Sequence, residues 1–153
     1  MTPGLRALAI GAAGTTALNA VTYLDMAARG RATSDTPEQT IQRLSEVTHV
    51  PVPGQGDTRD NRLAGLGPLA GLVTGVGSGV LLALARAAGW RPGPVVEAGV
   101  ATGLALLGSN GPMTALGVTD PRTWPASSWV TDIVPHLAYG AVAAGVLRGL
   151  SDD

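Results

Sequence analysis

Residues 67–85 read Gly67-Pro68-Leu69-Ala70-Gly71-Leu72-Val73-Thr74-Gly75-Val76-Gly77-Ser78-Gly79-Val80-Leu81-Leu82-Ala83-Leu84-Ala85. No charged residue falls between Leu63 and Ala85, and such a run matches the roughly 20 residues a helix needs to cross a bilayer core. Gly67, Gly71, Gly75 and Gly79 recur at every fourth position, which puts them on one helix face in a glycine-zipper pattern. In water these glycines make a poor helix, at about 1 kcal/mol each relative to alanine. In lipid the backbone has to satisfy its own hydrogen bonds, so the same stretch is driven helical. The bare strip then admits another helix at close range. The stretch predicts an all-α integral membrane bundle.

Composition points the same way. Of 153 residues, 45% are hydrophobic and 14% charged, against about 25% charged in a typical soluble domain. Mean hydropathy is positive, and the length suits a single membrane domain over residues 1–153. A net charge of −1 gives no ground for a nucleic-acid partner. The absence of Cys excludes a disulfide framework, a thiolate nucleophile and a Cys-ligated metal.

Toward the N-terminus, residues 5–28 form a second apolar run, with Arg6 before it and Asp25, Arg29 and Arg31 near its end. This predicts a first span. A cleaved signal peptide is the rival reading, but the run is long for one and lacks a clear small-x-small cleavage site. Asn19, Tyr23 and Met26 fall on one face, expected to turn toward the bundle. Residues 29–62 make a polar loop, in which Thr36-Pro37-Glu38-Gln39 has the chemistry of a helix start. Ile41, Leu44 and Val47 then follow at helical spacing, predicting a short amphipathic helix on the membrane surface or over the bundle. His49 beside the Val50-Pro51-Val52-Pro53 turn reads as a solvated loop histidine.

Beyond the glycine stretch, which as a span covers about 63–86, Ala88 to Pro94 makes a tight connection to a third span at about 95–110. Gly99 and Gly103 offer that span a further packing strip. Asn110-Gly111-Pro112 is expected to break it, leaving 113–118 re-entrant or beyond a kink. Thr119 to Trp124 reads as a capped turn echoing Ser34 to Pro37, as an internal repeat would produce, although the shared residues are common cap chemistry. A last span covers about 130–150. Trp90, Trp124 and Trp129 all fall beside span ends, where an interfacial aromatic belt places them. The expected architecture is thus four transmembrane helices with one short amphipathic loop helix. Both termini then lie on one side, with Arg6, Arg86, Arg91 and Arg148.

Ionisable groups inside a membrane are costly, which makes Asp25, Glu97, Asp132 and His136 the candidates for function. Asp132 and His136 are four apart and share a face with Tyr139. A carboxylate one turn before a histidine orients the ring and favours its charged form. Asn19, Tyr23 and Asp25, if they face His136 and Tyr139, complete a polar path. The competing structural reading makes Asp132 the cap of the last helix and leaves Asp25 and Glu97 within reach of water at span ends. No phosphate-binding glycine loop, catalytic constellation or metal-ligand set is present, so neither an enzyme nor a cofactor is expected.

Three blocks, Thr16 to Met26, Ser109-Asn110-Gly111-Pro112-Met113 and Pro135-His136-Leu137-Ala138-Tyr139-Gly140, resemble those of small actinobacterial membrane proteins. The layout, with a glycine-rich first span, a proline-bearing polar loop and a histidine in a late span, is similar to the YagU-like inner-membrane family. The resemblance implies four spans in a bacterial inner membrane and carries no functional residue with it. Two functions follow as expectations. One is a channel or transporter for protons or a small solute, along Asn19, Asp25, His136 and Tyr139. The other is a non-transport scaffold or accessory subunit that binds a membrane-protein partner through the 30–62 loop. Self-association in the bilayer is expected as well, because the small-residue strips exceed what one internal seam needs.

Overall fold

The computed structural model describes residues 1–150. Among these the chain is all-α: α1 (Pro3–Arg29), α2 (Thr36–Thr48), α3 (Asp57–Ala87), α4 (Pro94–Ala115) and α5 (Ala126–Gly149), with a 3-10 turn at Pro121–Thr123. Three of them, α1, α3 and α5, are long and apolar enough to cross a membrane. The expectation of four such helices is corrected here. At 22 residues α4 has the length, but Glu97 near its start and Ser109, Asn110 and Pro112 near its end interrupt it, so it holds no 18-residue stretch as apolar as those in the other three.

The packing is that of a bundle with its large apolar side chains outside. Leu5, Leu8 and Leu24 of α1, Leu69, Val73, Leu81 and Leu84 of α3, and Val134 and Leu137 of α5 are all exposed. The interior is built around Ile10, Leu82, Ala101, Ala105, Tyr139, Ala143 and Leu147. Three of those seven are alanine, so the helices are drawn together by close backbone approach rather than by interlocking large side chains.

The tightest approach is between α1 and α3. A Cβ added to Gly11 would lie 2.5 Å from the Val76 Cα, and one added to Gly79 would lie 2.4 Å from the backbone of Gly11. Thr15 occupies the space that a side chain at Gly75 would need. Gly14 makes room for the Tyr139 ring, and Gly140 for Thr102 and the Ala98 carbonyl. These pairings run antiparallel, so α1 and α4 begin at the end of the bundle where α3 and α5 finish.

Of the predicted packing glycines, Gly67, Gly75 and Gly79 make close contacts, Gly67 against the backbone of Pro37 and Glu38 in α2. Gly71, Gly99 and Gly103 do not: a Cβ at any of them meets nothing within 4 Å. The strip serves two neighbours in turn, α2 at its start and α1 at its end, and Gly71 falls in the gap between them.

Four predicted boundaries shift, the first being the start of α3, which opens at Asp57 inside the expected polar loop instead of at about 63. The amphipathic helix forms as expected and packs on α3; Thr36, which has the side chain to cap it, is instead its first helical residue, and the cap position falls on Asp35. α4 runs through Asn110-Gly111-Pro112 to Ala115 instead of breaking there. Proline inside a helix removes one hydrogen bond, a loss that neighbouring helices make tolerable in a membrane-type bundle. Pro68 and Pro135 sit inside α3 and α5 in the same way. Because α5 begins at Ala126, Asp132 lies in its second turn and caps nothing.

Candidate functional site

The continuation of α4 past Asn110 creates a polar cluster between α4 and α5. The His136 Nδ1 lies 2.7 Å from the carbonyl oxygen of Asp132, one helical turn back. Its Nε2 lies 3.1 Å from the Ser109 Oγ on α4. Asn110 Nδ2 donates to Asp132 Oδ2 at 2.8 Å, while Asp132 Oδ1 is 3.7 Å from the imidazole Nδ1. His136 is buried. The expected Asp132–His136 pair is therefore adjacent, with one change: the backbone carbonyl of Asp132 holds the ring, and the carboxylate stands slightly off.

Proton bookkeeping defines what the cluster can do. A carbonyl oxygen only accepts, so Nδ1 carries hydrogen. The Ser109 hydroxyl has a single proton and three acceptors near it: His136 Nε2, the Ala105 carbonyl at 2.9 Å and the Leu106 carbonyl at 3.2 Å. With a neutral ring the hydroxyl donates to Nε2. With a protonated ring it turns to a carbonyl and accepts the Nε2 proton instead. One hydroxyl rotation accommodates both charge states, and the Asp132 carboxylate supplies the counter-charge.

Tyr139, one turn further along α5, is 0% exposed. Its hydroxyl donates to the Gly75 carbonyl at 2.6 Å, tying α5 to the backbone of α3. The remaining members of the predicted path lie elsewhere. Asn19 is half-buried. Tyr23 is 62% exposed, so it does not turn inward as expected. Asp25 pairs with Arg29 and Arg31 at the end of α1. A continuous path through all of them is not assembled, because α1 rotates its small residues Gly11, Gly14 and Thr15 inward and so carries Tyr23 outward.

Glu97 belongs to a different site at the other end of the bundle. It is 0% exposed. Its Oε1 receives Arg86 Nη1 at 3.1 Å across the α3–α4 turn, and its Oε2 lies 2.6 Å from Arg148 Nε on α5. The Arg148 N–H is not directed along a hydrogen bond to that oxygen, so the contact is an ion pair held by charge. Arg148 Nη2 donates instead to the Pro92 carbonyl at 2.6 Å. Glu97 is thus neither near water nor on a path with His136.

Sequence reasoning missed four participants: Ser109, Asn110, Arg86 and Arg148. Asn110 was hidden by the expected helix break, and Ser109 lay at the end of the expected span just before it. The Arg86–Glu97 pair had a usable signal, since opposite charges flank a short connection between two antiparallel helices. Among the described residues no group of three or more His, Asp or Glu side chains comes together as a metal site would require. No protein-family model, curated protein or solved structure matches this chain.

Proposed function

We propose that this chain is a small multi-pass protein of a bacterial inner membrane that moves protons, or a small solute together with protons, using His136 as the protonation site. The observation that carries the proposal is the cluster on facing helices in which the buried His136 meets the half-buried Asp132, Ser109 and Asn110, and which offers the imidazole partners in either charge state. Buried ionisable groups in such bundles are expensive, and proton handling is one of the functions that retains them. The path is narrower than the sequence suggests. It consists of the α4–α5 cluster, with Tyr139 closing its inner side.

Proton flux into proteoliposomes tests this directly. The unmodified protein is expected to acidify the lumen under an imposed gradient, His136→Ala to abolish the flux, and Ser109→Ala to reduce it with helicity and detergent elution intact. Flux no greater than that of empty liposomes would end the proton proposal.

One observation favours a second reading, a scaffold or accessory subunit. Leu44, Val47 and the following Val50 remain exposed on and beside α2, 44%, 57% and 67% respectively. If they dock a membrane-protein partner, Leu44→Ser with Val47→Ser removes that partner from a native-membrane pull-down and leaves flux unchanged.

A further inference from the structure

At the end of the bundle where α1 and α4 begin, positive charge outnumbers negative among the described residues. Arg6, Arg86, Arg91 and Arg148 stand there with Glu97 as the one carboxylate. Glu97 engages Arg86 and Arg148 together and so offsets only one of them. Arg6 and Arg86 each keep an Nε–H buried and without a hydrogen-bond partner. The pairing of Gly11 with Gly79 sets the register of α1 on α3. Arg6, five residues before Gly11, is thereby brought level with the last turns of α3, close to Arg86 in height.

The Nε–H groups of Arg6 and Arg86 are closed off by protein. Among the described residues, however, the Arg6 side chain makes no hydrogen bond or ion pair and Arg91 is exposed, so the outer guanidinium N–H groups of Arg6 and Arg91 remain open to an anion. A guanidinium is weakly hydrated, and its fork of donors matches the oxygens of a phosphate. We infer that this basic end holds a phosphate-bearing anion, which in the bilayer is the headgroup of an anionic phospholipid. Trp90, half-buried at the same end and packed against the core, marks the headgroup level at which an interfacial tryptophan sits. Basic clusters between helix ends at that depth attract anionic lipid. The inference rests on the membrane placement proposed above and is independent of proton movement. Two carboxylates, Asp152 and Asp153, follow in the sequence outside the described residues. They are the rival source of negative charge.

The test uses the full chain in neutral detergent, with bound lipid read by native mass spectrometry and stability by thermal unfolding. The probes are phosphatidylglycerol, phosphatidylcholine and inorganic phosphate. The unmodified protein is expected to retain phosphatidylglycerol over phosphatidylcholine by about five-fold or more, the size of one arginine's attraction to an anionic surface. Raising the salt should weaken that preference. Arg6→Gln with Arg91→Gln, which leaves the Glu97 ion pairs untouched, should bring the ratio toward one at unchanged elution. Asp152→Asn with Asp153→Asn should keep it. Equal retention in the unmodified protein and the arginine variant overturns the inference. So does stabilisation by inorganic phosphate as large as that by the lipid, which would make the occupant a soluble anion. A preference that appears only in the Asp152/Asp153 variant also overturns it, because those carboxylates then fill the site. His136→Ala should leave lipid retention unchanged, so the failure of either proposal is read separately.

Discussion

Glu97 and Asp132 are both carboxylates carried into the bundle on neighbouring helices, yet their surroundings differ in kind. Glu97 faces two arginines, whose charge is permanent at any pH a protein meets. Asp132 faces an asparagine amide and an imidazole, one neutral and the other able to gain or lose a proton. The first arrangement fixes charge and ties three helices together. The second leaves charge adjustable. What an acid inside the bundle does is decided by whether its partners carry fixed charge, and the acid itself does not reveal which case holds.

The comparison breaks most sharply at Glu97. Glu97→Gln leaves Arg86 and Arg148 facing each other with no counter-charge, and breaking a buried pair costs about 3–5 kcal/mol. A mixed-micelle unfolding titration should register that loss. A cost below about 1 kcal/mol would mean the site is wetter than its complete burial indicates. Next in size is the seam between the two ends. Gly79→Ala would drive a methyl into the backbone of Gly11, an overpacking worth about 1–3 kcal/mol. Gly71→Ala, two turns of the same strip earlier, meets open space. It should be neutral, or stabilising by up to about 1 kcal/mol through helix propensity. Equal effects at the two positions would remove the contrast between packed and open glycines.

A smaller change is expected at the adjustable site. Ser109→Ala removes one partner of His136 and should cost roughly 1 kcal/mol, as a typical net hydrogen bond does. Stability should then change little while flux falls, the reverse of the pattern at Glu97. The smallest effect is outside the bundle, at Asp120. Arg122 donates to its side chain and holds its carboxyl below the ordinary value. A lowered carboxylate contributes stability that is present above its unfolded value and lost as pH falls through the folded one. The slight difference between the unmodified protein and Asp120→Asn should therefore vanish on acidification. A difference that grows in acid would contradict the pairing.

The all-α fold, the loop helix and the adjacency of Asp132 with His136 were legible because each rests on local spacing: long charge-free runs, a 3.6-residue rhythm and an i, i+4 pair. What escaped depends on rotation and on distance along the chain. Hydropathy places α1 but does not say which way it turns, and the choice that buries Gly11 and Gly14 exposes Tyr23. The four-fold recurrence of glycine predicts a face without saying how many neighbours share it, so Gly71 reads like Gly75. Treating Asn110-Gly111-Pro112 as a stop followed helix propensities measured in water. With Asn110 assigned to a break and Ser109 left at the end of the third span, the partners of His136 and Asp132 could not be seen. Arg148 lies 51 residues from Glu97 in the numbering, and no local pattern joins them.

The hydrogen bond from His136 Nδ1 to the Asp132 carbonyl has a kinetic consequence. While that hydrogen bond is kept, Nδ1 holds its proton and the imidazole exchanges protons at Nε2. A proton that enters there has to leave there, so the residue cannot act as one link of a conducting wire, taking a proton on one face and passing it from the other. Net transfer across the protein then requires Nε2 to face two sides in turn, through a ring flip or a shift of α4 against α5. The turnover of such a site is set by the pace of that movement, in the microsecond-to-millisecond range typical of collective helix motion. On the proposed reading of His136 as a protonation site, that is the pace of a carrier and not of an open water-filled pore.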